Sequence, residues 1–120
     1  MAEAIRWIKD HASEYGYREE VLFLDGFSSG AHLAALICTN EKYLQEVGLQ
    51  LQDIKGLIPI SGTYDIADYH RVFANGARPE MAQTHVEAIF GSPDKFAEAS
   101  PILLISDNNL TITPNYLKIK

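Results

Sequence analysis

Apolar positions recur at three- and four-residue steps over residues 2–15, at Ala4, Ile5, Ile8, Ala12 and Tyr15, while Arg6, Lys9, Asp10 and Glu14 fall mostly elsewhere. That period predicts an amphipathic helix, and Gly16 suits the left-handed position just past its end. The apolar run VLFLD at 21–25 follows a charged lead-in, Arg18, Glu19 and Glu20. Its length predicts a strand buried on both faces. GFSSG at 26–30 separates this strand from AHLAALICTN, which is rich in helix formers and has no breaker before Asn40. A mostly buried helix over 29–39 is expected, with a further turn or two at 41–47. KGLIPIS at 55–61 is the next strand, with Pro59 near its end or at a bulge, because proline removes a ladder donor. Strand, helix and strand in that order predict a right-handed βαβ unit and a parallel sheet flanked by helices.

Downstream, residues 62–80 read as irregular, with one short helix at 66–73. A helix is expected over 79–90, where Met81, His85, Val86, Ile89 and Phe90 share a face and Gly91 and Pro93 stop it. Residues 93–99 suit another helical turn. The tail carries two β-like runs, ILLI at 102–105 and YLKI at 116–119, split by the turn signal Asp107, Asn108 and Asn109. No internal repeat or long linker divides the chain, so residues 1–120 read as a single α/β unit.

Composition narrows the function classes. The chain is 47% hydrophobic and 22% charged, near the globular average, so disorder is not expected. A net charge of −6 argues against neutralising nucleic-acid phosphates and against a polybasic membrane-surface binder. No run approaches the roughly 18–20 apolar residues of a membrane span. Residues 1–10 carry charge throughout and have no apolar leader, so the cytoplasm is the expected compartment. One cysteine, Cys38, excludes an intrachain disulfide and a cysteine zinc cluster, and no metal-ligand spacing appears. No Gly-rich nucleotide loop is present either, so neither cofactor nor metal is expected.

The chemistry lies at Gly26-Phe27-Ser28-Ser29-Gly30, a G-x-S-x-G string between an expected strand and an expected helix. In that context the serine sits on a tight strand-to-helix turn, exposed above the carboxyl edge of the sheet. The residues two before and two after must be small, which Gly26 and Gly30 satisfy. The Ser29 N–H then lies at a helix start, aimed where an oxyanion would form. The plainer alternative is a glycine-serine turn that only connects two elements.

Several motifs in order resemble the α/β-hydrolase superfamily, nearest the bacterial esterase and lipase branch with its hormone-sensitive-lipase-like and arylformamidase-like enzymes. The helix before the elbow strand carries Ala4, Trp7, Ala12, Tyr15 and Gly16, and the elbow is followed by Gly30, His32, Leu33 and Ala34. The next strand ends in Ser61, Gly62, Tyr64 and Asp65, and a later run holds Phe90, Gly91, Ala99, Ser100 and Pro101. The resemblance implies a serine hydrolase of the carboxylesterase or lipase type. Ser28 would be the nucleophile, Ser29 N–H an oxyanion donor, and a small ester or arylamide the substrate. The family also uses an upstream H-G-G loop, an acid after the next strand and a later histidine. Nothing here corresponds to them, so the chain reads as a truncated central fragment.

Other positions could supply the partners. Asp65, just after the second strand on the functional edge of the sheet, is a displaced-acid candidate, some related lipases taking their acid there; its alternative is a turn residue. Of the histidines, His70 is the favoured base candidate over His11, His32 and His85, against a surface or packing role. Two functions follow: an ester hydrolase acting through an acyl-enzyme on Ser28, or a catalytically incomplete fragment or pseudo-enzyme. Loss of a strand that the family places beside the elbow strand would leave an exposed hydrophobic edge, so self-association is expected.

Overall fold

The computed structural model describes residues 1–105, 110–112 and 117–119, the last two segments as backbone strands. The leading helix is α1 (Ala2–Asp10), and it is interrupted rather than running through to residue 15. At His11 the backbone leaves the helical region (φ −104°, ψ 8°), and the ring Nδ1 lies 2.8 Å from the Trp7 carbonyl. The turn α2 (Ala12–Tyr15) follows and ends on Gly16 in the left-handed conformation (φ 73°, ψ 23°), as the sequence predicts. Tyr17 N–H closes the end onto Ala12 O at 3.1 Å.

β1 (Phe23–Phe27) starts two residues later than expected and runs directly into the corner at Ser28. It is also not buried on both faces. β1 stands at the outer end of the sheet among the described strands, and Phe27 is 71% exposed. α3 (Ser29–Thr39) has the expected bounds and buries seven residues, among them Ala31, Ala34, Ala35, Ile37 and Cys38. After α4 (Lys42–Gln45) and a short 3₁₀ turn, β2 (Gly56–Ile60) pairs parallel with β1 from Phe23↔Gly56 to Phe27↔Ile60. Pro59 takes the penultimate place of β2, opposite Gly26, near the strand end where the missing donor costs least.

α5 (Ile66–Ala74) matches the short helix expected at 66–73. The helix expected over 79–90 forms, but Ala82–Glu87 winds as a π-helix before α6 (Ala88–Phe90). Gly91 ends it at φ 81°, and a 3₁₀ turn follows at Pro93–Lys95. Three of the four residues of the ILLI run are helical rather than extended: α7 (Pro101–Leu104) begins with Pro101 at its first position, and only Ile105 just past its end is extended. Proline's fixed φ and missing donor suit a helix start, and Ile102 N–H bonds Tyr64 O at 3.1 Å.

The YLKI run contains β4 (Leu117–Ile119), antiparallel both to β2 and to β3 (Leu110–Ile112). The sheet is therefore mixed: its parallel pair is the βαβ unit, and the tail adds an antiparallel hairpin. The turn expected at residues 107–109 lies outside the described residues. No described helix is long and apolar enough to cross a membrane.

Two clusters form the core. Ile5, Ala34, Ala35, Ile37, Cys38, Leu44, Leu49, Leu51, Ile54 and Leu57 pack between the βαβ unit and its neighbouring helices. A smaller cluster of Ile66, Val86 and Phe96 holds the later helices together.

Candidate active site

The corner between β1 and α3 is a strained turn. Ser28 has φ 54° and ψ −118°, and Ser28 and Ser61 are the non-glycine residues at positive φ among those described. Such backbone costs on the order of 1–3 kcal/mol and persists only where surroundings over-determine it. Here they do. Ser28 N–H donates to Ile60 O at 2.9 Å, joining the corner to the end of β2, while Ser28 O accepts from His32 N–H at 3.1 Å and opens α3.

Gly26 makes the turn possible. A Cβ there would lie 2.5 Å from the carbonyl carbon and oxygen of Gly30 and 2.7 Å from Ala31 N. The same expectation fails for Gly30, where a Cβ would meet nothing within 4 Å among the described residues. Only the strand side of the corner is sterically closed.

Register sets Ser61 beside Ser28, since Phe27 is opposite Ile60. Two left-handed serines thus stand at the carboxyl ends of adjacent parallel strands. After Ser61 the chain folds tightly: Gly62 N–H donates to the Tyr64 hydroxyl at 3.1 Å, and a Cβ on Gly62 would sit 2.6 Å from the Tyr64 ring. The S-G-x-Y string signals this second corner in the sequence, but the strain at Ser61 was not expected.

His32 ties the two corners together. It is 6% exposed, and its Nδ1 lies 2.6 Å from Thr63 O. A carbonyl oxygen only accepts, so Nδ1–H is the donor of this bond. The ring also meets the edge of Phe90, with centroids 5.2 Å apart.

A cavity of about 570 Å³ opens beside Ser28. Its lining mixes the polar Ser28, Ser29, His32, Thr63, Tyr69 and His85 with the apolar Leu33, Leu36, Ile89, Phe90 and Ala99. That volume and its mixture of apolar walls with a few polar groups are typical of small-molecule sites. Ser29 N–H belongs to the first turn of α3, whose donors have no acceptor within the helix.

Asp65 and His70 stand elsewhere. Asp65 is the N-cap of α5, its Oδ1 accepting from Asp68 N–H at 3.0 Å. His70 Nε2 lies 2.8 Å from Glu87 Oε1, and the ring packs on Phe96. Neither lines the Ser28 cavity. The histidine from the later segment that does line it is His85, whose Nε2 is 3.3 Å from the Tyr69 hydroxyl. Its shared helical face with Ile89 and Phe90 was the available signal. Burial pushes the Cys38 thiol up to about 12 and keeps it protonated.

Esterase LipQ of Mycobacterium tuberculosis (strain ATCC 25618 / H37Rv) is 29% identical over 112 residues, an alignment covering 85% of this chain and 25% of that protein. The chain thus spans about a quarter of the length of that curated relative. No solved structure matches the chain. The BD-FAE family model matches residues 1–113, nearly the whole length over which the elbow, the βαβ unit and the cavity are built, and the chain belongs to this family of α/β-hydrolase-type esterase domains.

Proposed function

We propose that Ser28 is the nucleophile of an esterase-type hydrolase acting on a small ester or arylamide encountered in the cytoplasm. The observation that carries this reading is the strained backbone of Ser28 (φ 54°) at a corner opening onto a 570 Å³ cavity. Strain of this kind, held in place by a bond from Ser28 N–H to Ile60 O, is maintained for a purpose beyond connecting two elements. In the reaction, Ser28 Oγ attacks the carbonyl carbon and its proton passes to a base. Ser29 N–H donates to the oxyanion of the tetrahedral intermediate. The alcohol or amine leaves with a proton, and water then releases the acid and restores the serine.

A second reading, in which this chain alone is catalytically incomplete, is favoured by the histidines. His11 contacts Trp7 O, His32 Thr63 O, His70 Glu87 and His85 Tyr69, so none of the hydrogen bonds found for them is with Ser28. A fluorophosphonate probe separates the readings when combined with turnover of an aryl ester. Covalent labelling of the wild type and none of Ser28→Ala is expected. Labelling with turnover supports a complete enzyme, and folded protein that takes no label supports the incomplete one, since an unactivated serine does not react. Labelling that persists in Ser28→Ala overturns the nucleophile assignment.

A further inference from the structure

We infer that Tyr69 and His85 form a specificity-determining pair that reads a hydroxyl group on the substrate. The inference deepens the proposed function and rests on it for the orientation of the ligand. Tyr69 comes from α5 and His85 from the π-helical turn Ala82–Glu87, and both line the cavity that Ser28 opens onto.

The π turn distributes its side chains unequally. Val86 is fully buried in the small core cluster, while the adjacent His85 reaches the cavity. A π turn holds one more residue than an α turn, and such turns recur at functional sites. The His85 ring stands edge-on to Phe73 with centroids 6.1 Å apart, and Tyr69 meets the same ring edge-on at 5.0 Å. Phe73 thus supports both members of the pair.

The bond between them selects the ligand chemistry. Tyr69 Oη and His85 Nε2 are 3.3 Å apart. If the phenol donates to Nε2, the phenolic oxygen retains a lone pair for a ligand donor. If Nε2–H donates to the phenol, the phenolic hydrogen is free for a ligand acceptor. A ligand hydroxyl can donate or accept and so satisfies either arrangement. A purely apolar ligand end would satisfy neither, and it would take the water from the pair without replacing its hydrogen bond. Leu33, Leu36, Ile89 and Phe90 line the same cavity, so the ligand that fits is an ester with an apolar body that also carries a hydroxyl.

Binding to the full chain carrying Ser28→Ala, which keeps the cavity and removes the chemistry, provides the test. The probes are an alkyl methyl ester ending in a hydroxyl and its isostere ending in a methyl. The hydroxyl ester is expected to bind roughly tenfold more tightly, the worth of one well-made hydrogen bond. Tyr69→Phe, which retains the ring packed on Phe73, is expected to bring the two ligands within about twofold, and His85→Gln to reduce the preference. Equal binding of the two esters, binding of neither, or a preference surviving in both pair variants overturns the inference. Fluorophosphonate labelling of the wild type from the same preparation reports separately on Ser28. Labelling without a hydroxyl preference rejects the pair alone, and a preference without labelling rejects only the catalytic competence of Ser28 in this chain.

Discussion

Gly26 and Gly30 flank Ser28 symmetrically in the chain, yet the fold treats them differently. A side chain at Gly26 would strike the backbone of Gly30 and Ala31, whereas one at Gly30 would enter open space among the described residues. Gly26→Ala is therefore expected to cost about 1–3 kcal/mol, the range for overpacking, and to displace the corner so that labelling of Ser28 is lost. Gly30→Ala, on a helix, is expected to be neutral or to stabilise by about 0.5 kcal/mol. Urea unfolding of the two variants checks this, and equal effects would contradict the asymmetric corner. The Ser28 turn was legible because its requirements are local: a small residue, a serine and a helix start, all within five positions. The matching strain at Ser61 was not legible, because it depends on a neighbour 33 positions away through the register of β1 and β2.

The start of α5 shows how elements depend on one another. Its first donor, Ile66 N–H, is bonded at 2.9 Å by Ser100 Oγ, which itself donates to Phe96 O at 2.6 Å. Ser100 is fully buried, so no water can substitute. Ser100→Ala leaves Ile66 N–H unpaired in the interior and is expected to destabilise by about 1–3 kcal/mol. Faster hydrogen exchange at the Ile66 amide checks it, and unchanged protection would contradict this account. Asp65 caps the same helix, its Oδ1 accepting from Asp68 N–H. Elements with a strong period or clear stop signals, such as α3 and α5, were readable from the chain. ILLI was not, since four consecutive apolar residues have no period, and Pro101 together with the Tyr64 carbonyl decided for a helix.

Across the whole molecule, β1 ends the strand order, and apolar surface continues away from it. Ile8 and Tyr17 line one concavity with Val21, Leu22 and Phe23, together with the charged Lys9, Arg18 and Glu19, and another with Trp7 and Tyr15. Trp7 is 50% and Tyr15 60% exposed. A sheet edge beside such a surface is a template for pairing with another chain. Concentration-dependent association is the expected outcome in sedimentation velocity, with Ile8→Lys and Val21→Lys shifting the chain toward monomer. A single monomer boundary at every concentration would contradict it.

The amino-acid string by itself determined the βαβ order, the bounds of α3 and the place of the tight corner, since each follows from periodicity and steric demands between near neighbours. Which histidine faces that corner was a tertiary decision. His70 and His85 are alike as residues, but the packing of α5 on the π turn sends one to Glu87 and the other to the cavity. Contacts between residues distant in the chain are set by how helices dock, and no local pattern encodes that docking.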